Sequence, residues 1–89
     1  MKEELFSFKI VTPKGIAYQE EVEFVKAPGM SGEVGILADH SPAIIELNEG
    51  DVVITKNNLK ESFTIQEGLL YIMPQTALLL CGNCINNNI

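Results

Sequence analysis

Apolar and polar residues alternate with a period of two along most of this 89-residue chain. Phe6, Phe8 and Ile10 alternate with Ser7 and Lys9, which is typical of a strand with one buried face. Apolar residues do not recur at helical spacing over three turns, so no long helix is predicted. The pattern predicts nine strands, at residues 6–10, 16–18, 21–27, 34–37, 43–47, 51–56, 62–67, 69–73 and 76–81. This indicates an all-β fold, a flattened sandwich or barrel of about nine to ten short strands.

Turn signals and the chain end set the predicted boundaries. Asn57-Asn58 predicts a tight hairpin turn, and a shift in the alternation within residues 21–27 predicts a bulge near Val25. Residues 83–89 hold four asparagines and no packing pattern. We therefore expect one β-sandwich domain over residues 1–82 and a flexible polar tail over residues 83–89.

Two of the predicted strands contain apolar runs that do not alternate, at residues 69–73 and 77–81. A domain of this size has no spare layer to cover both faces of such strands. One face is therefore expected to pack on a partner protein. The alternative is that some of these leucines lie singly on the surface, which is common.

The charge balance restricts the classes of partner. The net charge is −6, and all six basic residues are lysines scattered along the chain. This excludes a basic stripe for nucleic acid, and it predicts repulsion from a bare anionic membrane. The acidic N-terminus does not resemble a signal peptide, and no apolar run approaches the roughly 18 residues of a membrane span. We expect a cytosolic protein without direct membrane insertion.

The segment from Pro28 to Pro42 has the most unusual composition, with three glycines, two acids and the only histidine, His40. Its glycines permit sharp turns or close approach of another backbone. It lacks the spacing of a phosphate-binding loop or a dinucleotide fingerprint, so no nucleotide is expected. Glu33 is either a solvent-exposed turn acid or part of a contact tip at one end of the sandwich.

The residue types that support catalysis do not converge in this sequence. Asp39, His40 and Ser41 are adjacent and therefore point apart, whereas a catalytic triad is built from separate segments. We expect them to hydrogen-bond the turn before Pro42. A lone histidine excludes a histidine-based metal cluster. No two acids are placed as a general acid and base, so no catalytic residue is predicted.

Cys81 and Cys84 form a C-x-x-C pair near the chain end. A redox motif of this type needs a helix that begins at the first cysteine, and a structural zinc site needs four ligands. Neither requirement is met, so we expect two reduced structural cysteines, with no metal and no cofactor.

Taken together, these motifs resemble the N-terminal β-sandwich domain of the epsilon subunit of F-type ATP synthases. The resemblance runs from about Leu5 to Cys81. Its most specific part is Gly32-Glu33-Val34-Gly35-Ile36-Leu37 followed by Asp39-His40-Ser41-Pro42. The runs Asn48-Glu49-Gly50-Asp51-Val52-Val53-Ile54 and Glu67-Gly68-Leu69-Leu70-Tyr71-Ile72 resemble the family's later strands.

The resemblance implies a non-catalytic rotor subunit at the foot of the central stalk. Such a subunit joins the gamma subunit to the loops of the c-subunit ring and helps couple proton or sodium flow to ATP synthesis. Glu33 would face the ring loops, and His40 would lie toward gamma or the ring-facing edge, with Met30, Ser31 and Asp39 as neighbours. The expected place is the cytoplasmic face of a bacterial cell membrane, held peripherally through partners.

The chain also departs from the family pattern. Most members carry a C-terminal helical hairpin after this domain, and that hairpin would begin near Ile89. We therefore expect the short form, without the inhibitory or nucleotide-sensing role of the hairpin. The alternatives are a free-standing β-sandwich binding or adaptor module, for which no convergent ligand set is found, and a hydrolase, for which no separated nucleophile and base are found.

Overall fold

The structure is a computed structural model that describes residues 4–88. It contains ten strands, and the described residues form no helix. The prediction of an all-β sandwich of nine to ten short strands is confirmed. The strands are β1 Phe6–Thr12, β2 Gly15–Val22, β3 Phe24–Gly29, β4 Gly32–Ile36, β5 Ala43–Leu47, β6 Gly50–Lys56, β7 Leu59–Ile65, β8 Gly68–Ile72, β9 Thr76–Cys81 and β10 Cys84–Asn86.

The strands form a sheet in the order β10-β7-β6-β3-β5-β8-β9-β1-β2, and β4 pairs with β3. All pairs are antiparallel except β1 with β9, which are parallel. β3 is the corner of the fold: Phe24 to Lys26 pair with β6, whereas Gly29 pairs with Leu47 of β5. At this corner the sheet folds over into two layers. One layer contains β4, β3, β6, β7 and β10, and the other contains β5, β8, β9, β1 and β2. The core lies between them.

Three aromatic rings tie the edge strand β2 to both layers. The Tyr18 ring lies 6.1 Å from that of Phe8 on β1 and 5.4 Å from that of Phe63 on β7, centroid to centroid. The Tyr18 hydroxyl donates to Glu61 Oε1 at 3.3 Å, which satisfies the one polar atom of this buried side chain. Burying a side chain of this size stabilises the folded state by roughly 1.5–3 kcal/mol, so these rings contribute much of the stability of the core.

The boundary between β2 and β3 differs from the prediction. β2 continues to Val22, and the chain bends at Glu23 rather than bulging near Val25. The irregular pairing instead lies between β1 and β2, where Ile10 pairs with Tyr18 and Val11 with Ile16. The cause is a contact that alternation does not encode: the Glu23 amide donates to the Thr55 carbonyl at 2.9 Å and holds the bend against β6.

The polar tail also differs from the prediction, because Cys84–Asn86 form β10 along β7. The side chain of Asn87 donates to Ser62 Oγ at 3.2 Å and Thr64 Oγ1 at 3.0 Å. Asn88 Oδ1 accepts from the Ser62 amide at 2.8 Å. The asparagines therefore supply the donors and acceptors that an edge strand requires. The expected flexible tail is wrong for these residues, and Ile89 lies outside the described part.

Candidate functional site

A tight hairpin between β3 and β4 forms one end of the sandwich. A Cβ atom added to Gly29 would lie 2.5 Å from the Gly32 carbonyl oxygen, so only glycine fits there. Gly32 has a φ of +131°, a conformation that other residues rarely adopt. These two glycines let the chain reverse over Met30 and Ser31, both of which are exposed. We call residues 29–33 the hairpin tip.

Glu33 carries the negative charge of the hairpin tip. Its carboxylate lies 3.8 Å from Lys26 Nζ on β3, and the two side chains are 67% and 45% exposed. An exposed pair of this kind contributes between about 0 and 1 kcal/mol. The pair therefore leaves Glu33 free to exchange Lys26 for a cation on another molecule.

The structure brings together three of the five predicted site residues. Met30, Ser31 and Glu33 line one shallow groove of about 410 Å³, which Ile44 and Glu46 of β5 complete on the other side. Two carboxylates thus border a groove whose floor is partly apolar. The arrangement suits the binding of a polar or basic loop better than the binding of a small anion.

Asp39 and His40 lie at the other end of β4, away from the hairpin tip. The Asp39 amide donates to the Pro74 carbonyl at 2.8 Å, and Gln75 Nε2 donates to Asp39 Oδ1 at 2.9 Å. Asp39 has a φ of +62°, which an aspartate in a turn tolerates. His40 Nδ1 lies 2.7 Å from the Ser41 carbonyl oxygen. Asp39 therefore holds the turn before β5 against the turn between β8 and β9, whereas the His40 contact is local.

A mainly apolar surface lies on the outside of β5, β8, β9 and β1, and we call it the outer face. The strand register places its side chains in two neighbouring rows. One row is Ile44, Tyr71 and Leu78 and ends at Lys9, and the other is Leu69, Leu80 and Val11 and ends at Glu46. Ile44 is 68% exposed and Leu80 36%. The apolar runs at 69–73 and 77–81 predicted part of this surface. Ile44 was missed because its strand is short and mixed, and Val11 because it lies beyond the predicted end of the first strand.

The opposite layer has a polar exterior. On β6 and β7 the outward side chains include Asp51 opposite Thr64 and Thr55 opposite Lys60. Thr64 Oγ1 donates to Asp51 Oδ1 at 2.7 Å, so these groups satisfy one another. The outside of this layer is therefore more polar than the outer face, although Ile85 of β10 is 55% exposed there. An apolar patch such as the outer face usually marks an interaction site.

The outer face and the hairpin tip meet at Met30. A second groove of about 560 Å³ runs between the end of β1, the start of β8 and the end of β9, and Met30 lines it as well. Leu69 and Leu80 of the outer face form its apolar side, and Glu46 and Glu67 form its polar side. The two surfaces are continuous around one corner of the sandwich.

The site carries no arrangement suited to metal chemistry. Within residues 4–88, histidine, cysteine, aspartate and glutamate do not come together in groups of three or more. Residues 4–88 also contain no helix long and apolar enough to cross a bilayer.

Comparison with known proteins finds ATP synthase epsilon chains among the relatives. The ATP synthase epsilon chain of Caulobacter vibrioides is 32% identical over 78 residues, which are 88% of this chain and 91% of that one. The epsilon chain of Campylobacter jejuni strain 81-176 is 32% identical and covers 90% of this chain and 68% of its own. That of Syntrophomonas wolfei is 44% identical over 50 residues, but the match spans only 36% of its length.

Solved structures give the same fold at low identity. The chain superposes with a TM-score of 0.89 on a chain of the Euglena gracilis mitochondrial ATP synthase, determined by cryo-EM with its c-ring. That match is 16% identical and covers 100% of this chain and 58% of the other. A chain of the Tetrahymena thermophila central stalk and c-ring structure gives a TM-score of 0.78 at 14% identity, with 96% and 69% covered.

The family assignment rests on the sequence matches. Residues 5–87, almost the whole described chain, match the family described as the ATP synthase delta/epsilon chain, β-sandwich domain. That span includes the hairpin tip, the outer face and β10. The chain therefore belongs to the delta/epsilon chain family of ATP synthase.

Proposed function

We propose that this protein is a non-catalytic rotor subunit of the central stalk that joins the gamma subunit to the c-subunit ring. The observation that carries the proposal is the continuity of an apolar outer face with an acidic hairpin tip through Met30. A coupling element needs two different contacts on one rigid body, and this domain offers two of opposite chemical character. Ring rotation driven by protons or sodium ions would be transmitted through both contacts and would drive ATP synthesis elsewhere in the complex.

The outer face is the proposed contact with gamma. Covering an exposed aliphatic side chain completely contributes roughly 1.5–3 kcal/mol. Ile44 has the most exposed side chain of the two rows and lies at the end of one of them. Its neighbour Tyr71 adds an aromatic ring, a residue type that is enriched at interfaces. A flat apolar face of four strands suits a stable contact within a rotor, because such a contact must not open on every turn.

The hairpin tip is the proposed contact with the ring. The resemblance to the family implies that Glu33 faces ring loops that often carry a basic residue. The exposed Glu33 carboxylate, held only loosely by Lys26 at 3.8 Å, is chemically suited to that contact. Complementary charge of this type contributes to docking rate and register more than to affinity.

Attachment to the membrane would then be indirect. A net charge of −6 opposes contact with anionic lipid headgroups. The proposed position is peripheral, at the cytoplasmic face of a bacterial membrane, where the ring holds the subunit through protein contacts. His40 and Asp39 are proposed to act there as turn residues that shape the edge next to β5.

The test is co-purification of the protein with its cognate gamma subunit. Ile44→Lys places a charge on the most exposed side chain of the proposed contact and is expected to weaken gamma binding about tenfold or more, a change of about 1.4 kcal/mol. Leu59→Lys is the matched control, because Leu59 is 72% exposed at the start of β7 on the other layer. Unchanged binding by Ile44→Lys, or equal loss by both variants, contradicts the assignment of the outer face.

A further inference from the structure

The two cysteines lie on either side of the crossover from one layer to the other. Cys81 ends β9, where it pairs with Gly68, and Cys84 begins β10, where it pairs with Ile65. Only Gly82 and Asn83 separate them. Asn83 Oδ1 accepts from the Cys84 amide at 3.0 Å and tightens this link. Cys81 belongs to the core and Cys84 packs against it, so both side chains face the same interior.

The two thiols differ in exposure. Cys81 is only 8% exposed and is part of the core, whereas Cys84 is half-buried and packs against the core from outside. A bulky reagent can therefore reach Cys84 far more easily than Cys81. Desolvation by burial raises the pKa of both thiols, so each is mainly protonated near pH 7 and reacts slowly.

We propose that Cys81 and Cys84 are a reversible dithiol–disulfide site that fixes β10 to the end of β9. The two cysteines flank a two-residue link and pack on the same core, so a disulfide would span only the link between two neighbouring strand ends. The co-reactant is a low-molecular-weight disulfide of the glutathione class. Cys81 and Gly82 border the groove between the outer face and the hairpin tip, but the exchange reaction itself needs neither gamma nor the ring.

The reaction is a pair of thiol–disulfide exchanges. The Cys84 thiol loses its proton, and its sulfur attacks one sulfur of the oxidant, which forms a mixed disulfide and releases one thiolate of the reagent. The Cys81 sulfur, after losing its proton, then attacks the Cys84 sulfur and expels the second reagent thiolate. The protein loses two protons and two electrons, and the reagent leaves as two thiols. This order follows from exposure, because a mixed disulfide fits at Cys84 but not within the core at Cys81.

The disulfide would reduce the mobility of β10, which lies at an edge of the sheet. β10 is three residues long and is held to β7 by backbone pairing and by the side chains of Asn87 and Asn88. An edge strand this short opens easily. A covalent link from Cys84 to Cys81 would hold the first residue of β10 in place when the rest of the strand separates from β7. The oxidised protein therefore keeps the Ser62 edge of β7 covered for longer.

The experiment incubates the native protein with defined ratios of reduced and oxidised glutathione at pH 8, followed by acid quenching and intact mass measurement. The expected product is monomeric, lighter by two hydrogen atoms, free of glutathione and restored by dithiothreitol. Its melting midpoint is expected to rise by about 5 °C. Exchange of the Ser62 amide, which donates to Asn88, is expected to slow several-fold.

Two variants separate the roles of the sulfurs. Cys81→Ala is expected to retain a stable glutathione adduct on Cys84, because the resolving thiol is gone. Cys84→Ser is expected to stay unmodified in the folded state, because Cys81 is buried. A lasting glutathione adduct on the unaltered protein, disulfide-linked dimers, or oxidation only in denaturant would each overturn the proposal. The measurements on the unaltered protein remain decisive if the Cys81→Ala variant does not fold.

Discussion

The carboxylate of Glu23 accepts a hydrogen bond from the backbone amide of Asn57 at 2.8 Å, although the two residues are 34 positions apart. Asn57 and Asn58 both have positive φ, as a two-residue hairpin turn between twisted strands requires. Glu23 thus caps the turn between β6 and β7 from the bend that separates β2 and β3. Glu23 therefore fixes both features, the bend through its backbone amide and the turn through its carboxylate.

Glu23→Ala is expected to lower the free energy of unfolding by about 1 kcal/mol, because the amide of Asn57 loses its acceptor. Urea unfolding measures this as a lower midpoint with an unchanged slope. Glu21→Ala is the control, since that side chain is exposed on β2 and removes the same charge. Equal losses for both variants would show that net charge, rather than the cap, is responsible.

Gly68→Ala is expected to destabilise the domain by about 1–3 kcal/mol. A Cβ atom at Gly68 would collide with the carbonyl oxygen of Leu80 on the paired strand β9, and a backbone atom cannot rotate away. Gly82→Ala is the matched control, because nothing lies within 4 Å of its added Cβ. Thermal unfolding of both variants measures the difference, and a Gly68→Ala midpoint equal to that of Gly82→Ala contradicts the close packing of β8 on β9.

Glu33→Lys is expected to weaken docking on the c-subunit ring about fivefold, which corresponds to about 1 kcal/mol for the loss of an exposed pair. ATP synthesis driven by an ion gradient in the assembled enzyme is the measurement. Glu21→Lys makes the same change of charge on an exposed position of β2, at the end of the sandwich away from the hairpin tip. Normal ATP synthesis by the Glu33→Lys enzyme would contradict a role of Glu33 in docking and would show that it is only a turn residue.

Stability is expected to fall as the pH rises from about 9 to about 11. Desolvation by burial raises the pKa of the Cys81 thiol from 9.0 to about 11 in the folded protein. Above pH 9 the unfolded chain therefore releases a proton that the folded chain retains, so deprotonation favours unfolding. Burial likewise raises the pKa of Tyr18, which extends the loss to higher pH. Urea titrations at pH 8 and pH 10.5 measure the effect, and equal midpoints would contradict it.

Local pattern predicts much of this fold. β5 and β9 have the predicted bounds, and the Asn57-Asn58 turn lies where the polar pair indicates. Turn chemistry and alternation are both local, so they can be read from neighbouring residues. β10 could not be predicted in this way, because its pairing depends on Ser62 and Thr64, more than 20 positions earlier.

The proposed site residues fall into two groups for the same reason. Met30, Ser31 and Glu33 lie together because one hairpin holds them. His40 and Asp39 follow closely in the chain but lie at the other end of β4, since the Asp39 amide binds the carbonyl of Pro74. The outer face needs the register of four strands, which no single segment contains.

β1 pairs in parallel with β9, which is synthesised much later. During synthesis Phe6, Phe8 and Ile10 therefore lack part of their final packing until β9 has left the ribosome. Folds that depend on such distant pairings fold slowly, and their apolar strands are exposed to aggregation in the meantime. Val11 and Leu80 of the outer face are brought together by this same pairing. The surface that would bind a partner is therefore completed only after β9 has left the ribosome, and a chain that stops before β9 cannot compete for that partner.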